Sequence, residues 1–214
     1  MFKSKIAMLA VTSAVSFLSL PALAAESAQV NVKGTLVPTA CNINISGIAD
    51  FGSIVVADIA TDGALGSKTV NYSIACNGKT SVAFSAQADE PTDNVMQGSL
   101  GQDNNTSIGY YTINTGTHAD VDGESRVVLA SLNNGTTWLS TIADTSFQNL
   151  RLNGSSLTTW GTVVSDQSSN GTPSTFSNVN GTLNISAFVN KALTDTLTDK
   201  LAFETNTTLT LQYL

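Results

Sequence analysis

Histidine and cysteine are almost missing from this chain of 214 residues, which has one of the first, His118, and two of the second, Cys41 and Cys76. A Ser-His-Asp arrangement would have to use His118, and no Gly-x-Ser-x-Gly elbow is present. Beside Ala119 and Asp120 in a polar stretch, that histidine reads as a solvated loop residue. Two cysteines in an exported chain are better spent on a bridge than on a thiolate nucleophile or a metal site. The sequence therefore predicts no enzyme, no catalytic residue and no cofactor.

Charge is scarce as well, at 12% of residues, with nine basic side chains against sixteen acidic ones and no Lys/Arg cluster. That excludes the electrostatic footprint of a nucleic-acid or anionic-membrane partner. Asp120-Val121-Asp122-Gly123-Glu124 offers oxygen ligands, yet it lacks the further spaced ligands of a calcium loop, and Asp-Gly favours a hairpin turn. No metal ligand is assigned. Asn-x-Ser/Thr triplets such as Asn71-Tyr72-Ser73 and Asn206-Thr207-Thr208 follow from a composition rich in those residues.

The one long apolar run lies at the start. Lys3 and Lys5 precede an apolar stretch from Ile6 to Leu20, and Pro21-Ala22-Leu23-Ala24 supplies the small residues of a cleavage site, so residues 1–24 read as a signal peptide. Its loss removes two bases and no acid, leaving seven bases against sixteen acids, a net charge of −9. No later stretch has bilayer length, so the mature chain is expected to be exported and without a membrane span. About 190 residues suit a single domain. Export makes a Cys41–Cys76 disulfide the expected state, and its loop of about 36 residues is worth roughly 3–4 kcal/mol through the unfolded state.

Punctuation is that of an all-β protein. Asn-Gly pairs at Asn77, Asn134, Asn153, Asn170 and Asn180 predict two-residue turns. Between them lie short runs rich in β-formers: 34–40, 51–56, 69–76, 81–87, 108–114, 125–130, 146–152, 182–188 and 207–213. Such spacing predicts a sandwich or barrel. Only residues 186–197 carry a spacing that could be helical. Residues 131–180 read as the longer surface loops; Trp138 and Trp160 there have the chemistry to stack on a sugar, although core or loop anchors are the favoured reading of both. Directly behind the cleavage site, Ala28, Val30 and Val32 alternate with polar residues, as a strand does.

Four segments then fall into a familiar order: VNVKGTLVPTAC (Val30 to Cys41), FGSIVV (Phe51 to Val56), VNYSIAC (Val70 to Cys76) and SVAFSA (Ser81 to Ala86). With the tail TTLTLQYL (Thr207 to Leu214), whose penultimate residue is Tyr213, they resemble the subunits of type 1 fimbriae assembled by the chaperone-usher pathway. Residues from about Glu90 to Asn180 look closer to a group of fimbrial-like exported bacterial proteins. The resemblance implies an immunoglobulin-like, pilin-type β-sandwich over residues 34–214, lacking its final strand, with one disulfide. Residues 25–33 would be an N-terminal extension.

It also implies the partners: a periplasmic chaperone, an outer-membrane usher and neighbouring subunits, on a route from periplasm to cell-surface fimbria. Ala28, Val30 and Val32 would form the donor strand, while Leu209, Leu211 and Tyr213, on one face at period two, would engage the chaperone's strand. Function would be structural, as a fimbrial subunit contributing to cell adhesion. The alternative is a self-contained exported β-sandwich that binds a ligand such as a glycan and does not polymerise. Only Ala25 to Gln29 precede Val30, a shorter lead than such extensions usually have, which points to a specialised subunit.

Overall fold

The computed structural model describes residues 30–163 and 170–214. The predicted signal peptide and Ala28 lie outside the described residues. Fourteen strands follow in order: β1 (Cys41–Ser46), β2 (Ala64–Thr80), β3 (Val82–Ala88), β4 (Gly98–Ser99), β5 (Gln102–Asp103), β6 (Thr106–Ser107) and β7 (Gly109–Asn114). Then come β8 (His118–Val121), β9 (Glu124–Ser131), β10 (Leu139–Ser140), β11 (Leu157–Val163), β12 (Gly171–Pro173), β13 (Phe176–Val189) and β14 (Thr207–Tyr213). Helical structure among the described residues amounts to two 3-10 turns and the single turn Lys191–Thr194.

Eight strands form one antiparallel path in the order β1-β2-β13-β8-β9-β11-β3-β14, with β4, β7, β10 and β12 attached at its sides. The sheet curls until its two end strands approach each other, giving a nearly closed barrel with one seam, between β1 and β14. Cys41 and Cys76 are direct cross-strand partners on β1 and β2 and form the expected disulfide.

Period-two alternation builds the interior. On β2, Val70, Tyr72 and Ile74 point inward and are buried while Asn71 and Ala75 point out, and β13 buries Val179, Leu183 and Ala187 in the same way. Trp160 stands at the centre, fully buried, with ring centroids 5.9 Å from Tyr72, 5.8 Å from Phe84 and 5.5 Å from Phe176. Its indole N–H donates to the Tyr72 phenol oxygen at 3.1 Å, so the polar atoms of both rings are paired. A smaller apolar cluster of Ala83, Val127, Leu129, Trp138 and Leu157 lies apart from the main one.

Several expectations are corrected by this arrangement. Residues 34–40 and 51–56 are not strands: Pro38 has no N–H for a ladder, and Gly52 turns the chain at φ +68°. Residues 146–152 begin in a 3-10 turn because the Asp144 carboxylate accepts from the Ser146 N–H. Of residues 186–197, the first four finish β13 and only Lys191–Thr194 is helical. Asn77-Gly78 and Asn180-Gly181 are not turns but lie inside long strands. At Gly181 the glycine serves close packing, since a Cβ there would sit 2.3 Å from the Tyr72 phenol oxygen. Asp122-Gly123 does turn the β8–β9 hairpin, at φ +52° and +84°, as Asp-Gly should.

Candidate functional site

Every interior strand of the path pairs on both sides, but β1 pairs only with β2 and β14 only with β3. Each therefore turns an unpaired backbone edge toward the other. Among the described residues one hydrogen bond spans this seam, from the Cys41 amide to the Tyr213 phenol oxygen at 2.8 Å.

Side chains at the seam are correspondingly under-covered. Inward-facing residues elsewhere are sealed, Phe84 and Val179 fully and Tyr72 to 2% exposure. On the seam strands the same face is open: Ile45 is 40% exposed, Tyr213 50%, and Ile43, Leu209 and Leu211 are half-buried. Beneath the gap runs an apolar groove of about 530 Å³ floored by Val70, Leu100, Ile113, Leu183, Ile185 and Leu209. A second hollow of about 680 Å³ shares Phe51 and Phe203 with it and continues along Ile54, Leu65, Val189 and Leu197. The groove has the shape and chemistry to take an extended segment, whose backbone would meet two strand edges and whose alternate side chains would drop onto the apolar floor.

The ends of β14 are firmly held. At one end the Tyr111 hydroxyl lies 2.6 Å from the Thr207 hydroxyl, and the Asp89 amide donates to the Asn206 carbonyl at 3.1 Å. At the other, the Leu214 amide donates to the Ser81 carbonyl at 3.1 Å. Burial pushes the Tyr111 phenol up from its ordinary pKa.

The compact unit holding the seam spans Pro38–Leu214. Residues 30–37 belong to a separate unit, have no secondary structure and are exposed throughout, with Val30 at 88%, Val32 at 87% and Leu36 at 100%. The alternation of Val30 and Val32 is interrupted at Gly34, and Leu36 and Val37 are adjacent apolar residues that are both exposed. The first strand begins at Cys41, so residues 30–40 lie outside the strands.

Other residues singled out from the sequence have plain structural places. His118 is exposed, with its Nδ1 2.9 Å from the Thr117 hydroxyl, but it opens strand β8, paired with Val127, rather than standing in a loop. The Asp122 carboxylate accepts from the Ser177 and Asn178 amides, at 3.1 and 2.7 Å, and sits 4.0 Å from the Lys79 ammonium. It clamps the β8–β9 turn to β13. Trp138 and Trp160 are both buried, so neither offers a ring face to a sugar. Of the eight-strand path, sequence reasoning missed β1, β8 and β11, and it missed the groove floor entirely, because Leu100, Ile113 and Leu183 come from segments that only the fold brings together.

A search of curated proteins finds no match. The model of the family described as protein of unknown function (DUF1120) matches residues 30–137, half of the 214-residue chain, and the chain belongs to that family.

Proposed function

We propose that this protein is a structural subunit of a bacterial surface fibre, assembled by strand exchange with the help of a periplasmic chaperone and an outer-membrane usher, and that it contributes to cell adhesion. The observation that carries the reading is the open seam: two unpaired edges, β1 and β14, facing each other over an apolar groove. In this reading the fold is a pilin-type immunoglobulin-like sandwich short of one strand, and the groove is where that strand goes. An uncovered edge over apolar side chains is an aggregation hazard in a free monomer, which a lent strand removes.

Further support comes from the exposed alternating segment around Val30 and Val32. In the fibre these residues, with Ala28 ahead of them, enter the groove of the neighbouring subunit, where backbone pairing supplies affinity and the alternate side chains supply register. Leu209, Leu211 and Tyr213 form the β14 face that meets first the chaperone's strand and then the donor. The chain has no catalytic role in this scheme.

A version of the mature chain, Ala25 to Leu214, extended at its C-terminus by a flexible linker and a second copy of residues 25–40, tests the reading. The plain chain is expected to be unstable or to polymerise, and the extended one to be a monomer of markedly higher melting temperature. A plain chain that is already a stable monomer, unmoved by the extra strand, would sink it.

A further inference from the structure

The face opposite the core carries a feature the fibre reading does not use. Strands β1, β2 and β13 run side by side in register, and their outward residues form rows: Asn44 beside Ser73 beside Asn180, then Ser46 beside Asn71 beside Thr182. The pattern continues along β13 through Asn184 and Ser186, opposite Thr69 and Ser67 of β2. It ends at Phe188, which stacks on its β7 neighbour Tyr110 with centroids 5.0 Å apart and planes at 17°. Both rings are half-buried and stand outside the two apolar clusters.

Three properties of this strip point to a ligand. It is neutral in a chain of net charge −7: from Asn44 to Phe188 the outward residues of the three strands bear no charge, while Asp120 faces Asn180 from β8 and accepts from the Gly123 amide, and just beyond it Asp122, held on the Asn178 amide, is paired with Lys79. At its Asn44 end the hydrogen-bonding groups are free, since Asn44, Asn71, Ser73, Asn180 and Thr182 have no side-chain partner within the described protein and line a shallow trough of about 450 Å³, while further along the Ser67 and Ser186 hydroxyls bond each other at 2.7 Å. Finally, it joins amides to an aromatic pair. From Asn180 to Phe188 the strip is about 26 Å long at the usual strand rise, with about 4.8 Å between columns.

We infer that this strip binds a neutral polysaccharide chain laid along β13. A side-chain amide offers one acceptor and two donors, the complement of neighbouring sugar hydroxyls, and the rows repeat that offer at intervals comparable with single sugar rings. The Tyr110–Phe188 pair supplies an apolar surface for the C–H face of a ring at one end. A nucleic acid or acidic glycan finds no cation here. A flat protein partner, a second copy included, would have to match each amide or bury it unpaired, at about 1–3 kcal/mol per group. A polyhydroxylated chain, with water at its edges, satisfies them individually.

The test uses the mature protein on an array of neutral oligosaccharides (glucans, mannans, galactans and N-acetylhexosamine chains) beside sialylated and sulfated ones, followed by titration of each hit. Asn44→Asp/Asn184→Asp adds charge at two exposed positions whose cross-strand partners, Ser73 for the first and Thr69 and Asn114 for the second, are uncharged, and an unchanged melting curve verifies its fold. The expected result is binding to neutral chains that falls by about tenfold or more in this variant and falls again in Tyr110→Ser. No neutral chain bound at millimolar concentration, binding confined to acidic glycans, or binding indifferent to the Asn substitutions would overturn the assignment. So would concentration-dependent self-association of the wild type that the Asp variant abolishes, which would make the strip a contact between copies.

Discussion

The amide of Cys41, the first residue of β1, donates to the phenol oxygen of Tyr213, the last residue of β14, at 2.8 Å. The two residues are 172 positions apart, and their contact marks the place where the curled sheet comes closest to closing. It is a side-chain bond standing where a backbone ladder would run in a closed barrel. That substitution of one bond for a ladder is what leaves the groove open.

Removing this bond alone should cost little. Tyr213→Phe keeps the ring and loses the acceptor, so stability should fall by about 0.5–1.5 kcal/mol, toward the low end because Tyr213 is half exposed. Urea unfolding measures it. Tyr213→Ala also removes part of the β14 face, and on the fibre reading it should lower chaperone co-purification. Unchanged periplasmic levels and unchanged co-purification would count against that role.

Trp160 and Tyr72 should behave as a coupled pair. Trp160→Phe strands the Tyr72 hydroxyl in the core without its donor, costing about 1–3 kcal/mol beyond the lost volume. Tyr72→Phe in the same background removes the stranded group, so the double variant should lose less than the two single losses added. A double-mutant cycle by chemical denaturation reads the coupling, and strict additivity would show that the bond contributes nothing.

Gly181→Ala should destabilise by about 1–3 kcal/mol or more through overpacking, although it lies in a strand where alanine is otherwise tolerated. Tyr72→Phe should not rescue it. The added Cβ would meet ring carbons of Tyr72 at 2.4 and 2.6 Å as well as the oxygen at 2.3 Å, so the clash is with the ring. Thermal melts of the single and double variants decide this.

Acid should weaken the clamp at Asp122. Desolvation works against its charge, but the amides of Asn178 and Ser177 and the nearby Lys79 outweigh it, and the carboxyl is held below its ordinary value. A depressed folded pKa contributes stability that is present above the unfolded carboxylate value, about 3.9, and is lost as pH falls through the folded one. Asp122→Asn should therefore lower the melting temperature at pH 7 and make a smaller difference near pH 2. An equal difference at both pH values would show that the charge is not what the clamp uses.

Local chemistry was legible in the residues themselves. Alternation in residues 207–213 marks β14 to the residue, Asp122-Gly123 marks its hairpin, and the two cysteines leave one possible bridge. Each signal works over a few residues, where backbone geometry and side-chain period suffice. The same reasoning misread 34–40 as a strand and Asn180-Gly181 as a turn, since a strand exists only where a partner edge is available and a glycine's role depends on what packs against it.

The candidate site lay beyond that reach. Leu209 and Leu211 could be placed on one face from the sequence, but their openness could not, because it depends on β1 stopping short of β14 across the seam. The amide strip is likewise invisible in sequence: Asn44, Asn71 and Asn180 are far apart in the chain and meet only through the register of three strands. What the sequence by itself determined was the all-β class, the disulfide and the face of the last strand. The seam, its apolar floor and the neutral outer face were decided by non-local pairing, which only tertiary structure supplies.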